Sequence, residues 1–328
     1  MNHLERLLLT LGLIFISLAL GYAGRHIAER KAISGATVLA LRKWLQTVAI
    51  FILIPFSAML SLWGLPAPDT ELLSLPFLGL AAYVWGGLLA LYCGKLLKLN
   101  PGQIGSFYCC GTFTNLGAVG GLVCLMFLGE TSIALVALYR LLEEIYYFSV
   151  SFPFARKFAA RDKSAVRQKA FHPVLLAIIT ALALGGALNY LSIPRPEIFG
   201  IVASCSMLLA TIFFLFAIGL SLRLSSIGHY WAPGLCMCGI KFVAVPIFII
   251  LLAIGLGYGT FNNGLALKTV AILASMPVAM TALVPPTLFD LDVDLANACW
   301  IISTLGLIIV LPMLLLVLPR LGGASFFS

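Results

Sequence analysis

Polar and helix-breaking residues interrupt two apolar stretches of membrane-spanning length. They are Thr112, Thr114, Asn115, Gly117 and Gly120 in the first stretch, and Ser275, Met276 and Pro277 in the second. In lipid a helix must satisfy its own backbone, so such breaks persist only where the unwound backbone lies inside protein or lines an aqueous cavity. Unwound N–H groups and helix N-termini attract anions such as carboxylates. Paired breaks in two halves of a chain therefore predict a binding site for a small organic anion.

Asn115 is the residue that we expect to contribute most to this site. Its amide can accept a hydrogen bond from a freed N–H group and donate one to a carboxylate. Threonine and serine in membrane helices more often bond back to their own helix, which makes Thr112, Thr114 and Ser275 weaker candidates. Because packed helices lie about 8–10 Å apart, we predict that Asn115 and Pro277 approach within about 10 Å.

Charged residues inside apolar stretches are costly and usually functional. Arg140, Glu143 and Glu144 occur together, and Arg140 reaches both acids at helical spacing. The trio is either a self-neutralised clamp or a coupling acid for H⁺ or Na⁺ beside an arginine that responds to substrate. Lys241 has no acid within one helical turn, so it needs a partner from another helix, a bound anion or a route to the interface. We expect Lys241 or Arg140 to balance the charge of the substrate.

The elements that must position these residues are transmembrane helices. Apolar residues make up 62% of the 328-residue chain and charged residues 10%, and the mean hydropathy is +1.09. A soluble domain of this size could not cover its surface with so few charges. Since a span takes about 20 residues, the sequence predicts ten spans, at roughly 7–28, 37–63, 72–94, 103–128, 131–156, 172–192, 197–222, 230–256, 263–288 and 294–318.

A basic connection from Arg156 to Lys169 divides the predicted spans into two sets of five. Because five is odd, the two halves enter the membrane in opposite orientations. The sequence thus predicts an all-α polytopic membrane protein, a 5+5 inverted repeat with broken, crossing helices 4 and 9. Its parts are a first repeat at 1–158, a basic cytoplasmic loop at 159–171 and a second repeat at 172–328.

The distribution of basic residues predicts the orientation. Of the 20 Lys and Arg residues, 14 fall on one side of the predicted topology, and short basic loops stay in the cytoplasm. Both termini are then outside, the 159–171 loop is cytoplasmic, and the plasma (inner) membrane is the expected location. The formal charge of +8 is therefore a topology signal, aided by anionic lipid, and not a nucleic-acid footprint.

Other chemistry finds little support in the residues. The eight cysteines form no CxxC pair and the four histidines are scattered, so we expect no metal and no cofactor. The sequence has no nucleophile elbow and no HExxH motif, which argues against an enzyme. Asp290, Asp292 and Asp294 are expected in a solvated turn. A homodimer is left open.

These residues resemble the auxin efflux carrier (PIN-like) family, within the bile-acid and arsenite transporter superfamily. Asn115 followed by Gly120 is similar to that family's fourth-helix motif, and the stretch from Ser275 to Pro312 resembles its ninth and tenth helices. Leu122 stands where many members have proline. The resemblance implies ten helices in which helices 4 and 9 cross, two bundles that move against each other, and organic anions such as auxin, malonate or malate as substrates.

The sequence therefore predicts a secondary active or facilitative carrier of a small organic anion that works by alternating access. One alternative is a sodium-coupled symporter of the bile-acid type with the same fold, although the ninth span has no acid before Asp290. Another is a membrane sensor that binds a ligand without transporting it.

Overall fold

Helices form nearly all of the regular structure in the computed structural model, which describes residues 3–65, 70–159, 173–220, 222, 228–259 and 264–321. In chain order the α-helices are α1 (His3–Arg30), α2 (Gly35–Val48), α3 (Ile54–Trp63), α4 (Leu75–Leu96), α5 (Pro101–Thr112), α6 (Gly121–Leu128), α7 (Ser132–Tyr139), α8 (Glu143–Tyr146), α9 (Phe152–Arg156), α10 (Pro173–Tyr190), α11 (Ile198–Gly219), α12 (Trp231–Gly239), α13 (Val245–Gly255), α14 (Leu265–Ala274), α15 (Val284–Leu288) and α16 (Val293–Val317). Single π-helical turns occupy Ala49–Leu53, Leu116–Gly120, Tyr147–Ser151 and Ile240–Ala244, and 3-10 turns occupy Thr70–Ser74, Met280–Leu283 and Leu318–Arg320.

Six helical stretches in the described residues are long and apolar enough to cross a membrane: Leu4–Arg30, Gly35–Trp63, Leu72–Leu96, Ile198–Gly219, Trp231–Gly255 and Val293–Arg320. Many large apolar side chains on these helices point outward; Leu8, Leu251 and Leu316 are 60%, 64% and 71% exposed. In water such a surface would be unfavourable, whereas in a bilayer it faces lipid tails. The all-helical, polytopic membrane architecture agrees with the sequence prediction, and the ten-span repeat stays a prediction.

Contacts divide the chain into two compact units. The first unit comprises residues 1–68, 117–137 and 176–222. Within it, Arg195 forms a bidentate ion pair with Glu130 at 2.9 and 3.1 Å and donates a further bond to the Leu60 carbonyl at 2.8 Å. This pair ties the end of α3 to the α6–α7 and α10–α11 connections.

The second unit comprises residues 69–116, 138–175 and 223–328. Within it, the backbones of α4 and α5 are in direct contact at Gly86. A Cβ placed on Gly86 would lie only 2.2 Å from the Gly111 carbonyl oxygen. Small residues allow this close approach between membrane helices. The predicted 159–171 loop lies, from residue 160 onward, outside the described residues.

Both predicted helix breaks occur in this structure, and both involve the second unit. Helix α5 ends at Thr112, and helix α14 ends at Ala274. A third break, between α7 and α8, interrupts the predicted fifth span at Arg140–Leu142. At this break the α4 backbone packs closely against the end of α7, since a Cβ on Gly79 would lie 2.0 Å from the Tyr139 carbonyl oxygen.

Candidate functional site

The two unwound segments pair with each other in the second unit. Thr114 and Val278 form an isolated antiparallel bridge. The Asn115 N–H donates to the Pro277 carbonyl at 2.8 Å, and the Ala279 N–H donates to the Phe113 carbonyl at 3.1 Å. Thr114 and Val278 are therefore the non-hydrogen-bonded pair of a miniature antiparallel ladder, in which side chains lie close together.

This pairing corrects one part of the sequence prediction and confirms another. We expected the freed N–H groups of the breaks to face a ligand, but those of Asn115 and Ala279 bond across the bridge. The Val278 N–H donates instead to the Ser303 hydroxyl at 3.2 Å. The expected approach of Asn115 to Pro277 is confirmed, since the two residues share a hydrogen bond.

The local backbone at Asn115 is a tight turn. The Leu116 N–H bonds to the Thr114 carbonyl at 2.8 Å, which is the three-residue pattern of a γ-turn centred on Asn115. From there the chain enters the π-helical turn Leu116–Gly120. The predicted site residues Gly117 and Gly120 belong to that turn and to the first unit.

Lys241 places a cation at the bridge. It lies in the π-helical turn between α12 and α13, and it is 1% exposed. Its Nζ donates to the Gly111 carbonyl at 2.7 Å and to the Thr114 hydroxyl at 2.9 Å. The Gly111 carbonyl belongs to the last turn of α5, where the helix dipole favours a positive charge. No acidic oxygen of the described residues pairs with this ammonium.

The remaining predicted residues of the breaks differ in their contacts. Thr112 is fully buried, and its hydroxyl has no hydrogen-bond partner among the described residues. Ser275 donates to the Ala271 carbonyl of its own helix at 2.8 Å, which is the ordinary behaviour of a membrane serine. Met276 is fully buried and has no polar side chain to offer.

Aromatic rings pack against Phe113, next to the bridge, within the second unit. The Phe113 ring lies 4.7 Å from the Tyr147 ring and 6.4 Å from the Tyr83 ring, and Tyr83 stacks on Tyr146 at 6.1 Å. The Tyr147 hydroxyl donates to the Thr281 carbonyl at 3.4 Å. The rings pack on Phe113, whose carbonyl takes part in the bridge. Lys241 itself is buried, and a low local dielectric strengthens its interaction with any anion.

The charged trio lies at the third break, with Arg140 in the break and Glu143 and Glu144 at the start of α8. Arg140 Nε donates to Glu143 Oε2 at 2.9 Å, as the helical spacing predicted. Of the two basic residues that we expected to balance the substrate charge, Arg140 is therefore already paired with an acid and Lys241 is not.

One acidic turn residue differs from its prediction. Asp292 caps α16 through the Leu295 N–H at 2.8 Å, and it accepts bonds from Tyr230 at 2.6 Å and Gln103 at 3.2 Å. Burial, followed by this hydrogen bond, raises the pKa of Tyr230. Asp290 and Asp294 are exposed, as expected of a solvated turn, whereas Asp292 is half-buried and joins three helix ends of the second unit.

Sequence reasoning missed two participants, Ser303 and Gly111. Ser303 is a fully buried hydroxyl in the apolar helix α16, and a polar residue at such a position was the available signal. Gly111 takes part through its carbonyl, which any residue type possesses. The sequence therefore carries no signal for that contact.

Two proteins of known sequence are similar to this chain over most of its length. One, from Methanothermobacter thermautotrophicus, is 24% identical over 273 residues, which are 82% of this chain and 86% of that protein, and it is named an uncharacterized transporter. The other, from Methanocaldococcus jannaschii, bears the same description and is 26% identical over 282 residues, or 82% of this chain and 87% of that protein. No protein-family model matches the chain.

Proposed function

We propose that this protein is a secondary transporter that carries a small organic anion across the membrane by alternating access. The names of the two archaeal relatives support a transporter in general. The observation that carries the finer proposal is the Lys241 ammonium: a fully buried cation, without an acidic partner in the described residues, held at the meeting point of two broken helices.

The electrostatics of Lys241 favour an anionic ligand. Burying a charge is costly unless an opposite charge and hydrogen bonds compensate it. The Gly111 carbonyl and the Thr114 hydroxyl are neutral acceptors, so they satisfy two donors and leave the positive charge uncancelled. A substrate carboxylate would supply the missing charge and accept the third N–H bond of the ammonium.

Neighbouring polar groups suit the same ligand. The Thr112 hydroxyl is buried without a partner, and it follows directly on Gly111, whose carbonyl binds Lys241. A hydroxyl left unsatisfied in the interior costs about 1–3 kcal/mol, and donation to a carboxylate would remove that cost. We assign substrate binding to Lys241, Thr112, Thr114 and Asn115, next to Pro277.

The geometry disfavours the sodium-coupled alternative at this break. A sodium ion would need neutral or anionic oxygens, and Lys241 already takes the Gly111 and Thr114 oxygens. The ammonium and a metal ion would also repel each other. The proposal is thus an anion carrier in which a resident lysine, and not sodium, provides the cation at the crossing of the breaks.

The larger architecture is proposed on the sequence pattern. It comprises ten spans in a 5+5 inverted repeat, with both termini outside and the basic 159–171 loop in the cytoplasm. The resemblance to the auxin efflux carriers supports this arrangement and supports carboxylates as the substrate class.

Transport measurements test the proposed function. Purified protein in liposomes should exchange at least one radiolabelled member of a panel of acetate, benzoate, malonate and succinate for the same unlabelled anion inside. Liposomes without protein give the background. Exchange of no carboxylate, or exchange only when sodium is present, would refute the proposal.

A further inference from the structure

A second buried polar cluster lies in the second unit, at the unpredicted break between α7 and α8. The Arg140–Glu143 ion pair at its centre has side chains that are only 13% and 9% exposed. Within this pair the guanidinium neutralises one carboxylate, and the break brings a second acid, Glu144, directly after it. The cluster therefore holds one carboxylate more than it has cations.

Glu144 is the group whose charge the cluster leaves uncompensated. No hydrogen bond or ion pair of this carboxylate occurs among the described residues, although the charge of Arg140 acts on it at longer range. A carboxylate inside a membrane span is unfavourable without a partner. Binding a proton is the simplest way to remove its charge.

Two tyrosine hydroxyls add a second, independent observation. Tyr83 and Tyr139 are 0% and 1% exposed, and neither hydroxyl has a hydrogen-bond partner in the described part of the chain. Tyr83, on α4, stacks on Tyr146 of α8, the short helix that also carries Glu143 and Glu144. Unpartnered buried hydroxyls are uncommon. The Tyr83 ring packs on the helix of the two acids, and protonation of an acid turns an acceptor into a donor.

The charged and titratable groups around Glu144 favour a proton over a metal ion. Arg140 and Glu143 precede it in the same segment, Tyr147 follows it, and α4 contributes Tyr83. The Arg140 guanidinium would repel a sodium ion bound between these oxygens. Transfer of a proton from hydronium to the Glu144 carboxylate forms a neutral acid and water, and this step requires no coordination shell.

Phe113 connects this cluster to the proposed anion site. Its ring contacts Tyr83 and Tyr147, while its carbonyl accepts the Ala279 N–H in the bridge. A rearrangement of the tyrosines on protonation of Glu144 would therefore act directly on the unwound segment beside Lys241.

We propose that Glu144 takes up and releases a proton in each transport cycle, so that anion movement is coupled to a proton. Arg140 and Glu143 are a fixed pair that orients the break, and Tyr83 bonds to the acid in one of its two protonation states. This inference rests on the proposed anion transport, and anion exchange measured at equal pH separates a failure of transport from a failure of proton coupling.

Liposomes that contain the wild type or Glu144→Gln test the coupling. With the carboxylate of the panel that the wild type exchanges, an inward proton gradient should drive accumulation in the wild type. Glu144→Gln should retain anion exchange at equal pH but lose at least tenfold in gradient-driven accumulation. Glu197→Gln, at an exposed acid in the first unit, should behave as the wild type. Accumulation driven by a sodium gradient, or unaltered proton-driven accumulation in Glu144→Gln, would overturn the proposal.

Infrared difference spectroscopy of purified protein tests the proton site without any substrate. The carboxylic-acid C=O band that appears on acidification should be smaller in Glu144→Gln than in Glu197→Gln by the contribution of one acid. If the band has the same size in the two variants, Glu144 is not a proton site. If this band behaves as expected while no carboxylate is exchanged, the proton site stands and the anion-transport proposal fails.

Discussion

Lys241 and Asn115 show how two polar residues in an apolar chain acquire partners from distant parts of the sequence. Lys241 binds a carbonyl 130 positions earlier, and the Asn115 N–H reaches Pro277. The residue types alone indicated a functional role, because a lysine and an amide are costly in lipid. Their partners could not be predicted, since a backbone carbonyl leaves no trace in the sequence.

The structure gives different expectations for Asn115→Ala and Pro277→Ala. The bridge uses only backbone atoms of both residues, so each variant should insert and fold. Asn115→Ala removes the side-chain amide from the site and should abolish carboxylate exchange. Pro277→Ala keeps the bridging carbonyl and should reduce exchange only a fewfold. Exchange by proteoliposomes, with size-exclusion profiles as the folding control, checks both. Normal exchange by Asn115→Ala would mean that the amide has no part in binding.

At the scale of the elements, the two predicted breaks and the unpredicted one have different origins. Glycines and Asn115 mark the end of α5, and Pro277 marks the segment after α14, so local sequence was sufficient there. The break at Arg140–Leu142 contains neither glycine nor proline. It coincides with the contact of Gly79 with the Tyr139 carbonyl, which is a tertiary feature that no local pattern of the fifth span contains.

The contact of α4 with α5 should be sensitive to a single methyl group. In Gly86→Ala the new Cβ would lie 2.2 Å from the Gly111 oxygen, so α5 must shift. Overpacking of this kind costs about 1–3 kcal/mol, and the shift would also move the carbonyl that holds Lys241. We expect a lower melting temperature in detergent and slower exchange. Gly239→Ala, where nothing lies within 4 Å of the new Cβ, is the matched control. Equal melting temperatures for the two variants would contradict the close packing.

At the scale of the whole molecule, composition and span length sufficed to predict a helical, polytopic membrane protein, and six long apolar helices agree with it. The predicted 5+5 inverted repeat did not predict how the chain divides into two compact units. Each unit combines segments from both predicted halves, and the chain changes unit between Leu116 and Gly117, inside the first break. Which segments pack together depends on long-range contacts that hydropathy does not encode.

Orientation in the membrane is predicted by the basic residues and can be tested by labelling. Single cysteines introduced at Ser164 and Ser328, both outside the described residues, should differ in their reaction with an impermeant thiol reagent in intact cells. The residue at 328 should react and the residue at 164 should not, because the distribution of Lys and Arg predicts that the 159–171 loop is cytoplasmic. The parent chain without the added cysteine gives the background, and the reverse pattern would invert the topology.

The central claim is that the buried Lys241 ammonium binds the substrate carboxylate, and equilibrium binding tests it most directly. The dissociation constant of the exchanged carboxylate should be measured for the wild type, Lys241→Met and Lys95→Met, the last at an exposed lysine at the end of α4. Loss of one charge-assisted hydrogen bond corresponds to about 1.5–3 kcal/mol, or roughly tenfold to a hundredfold in affinity. We predict that Lys241→Met binds the carboxylate more weakly by this factor and that Lys95→Met binds it with wild-type affinity. Unchanged affinity in a folded Lys241→Met protein would contradict the account.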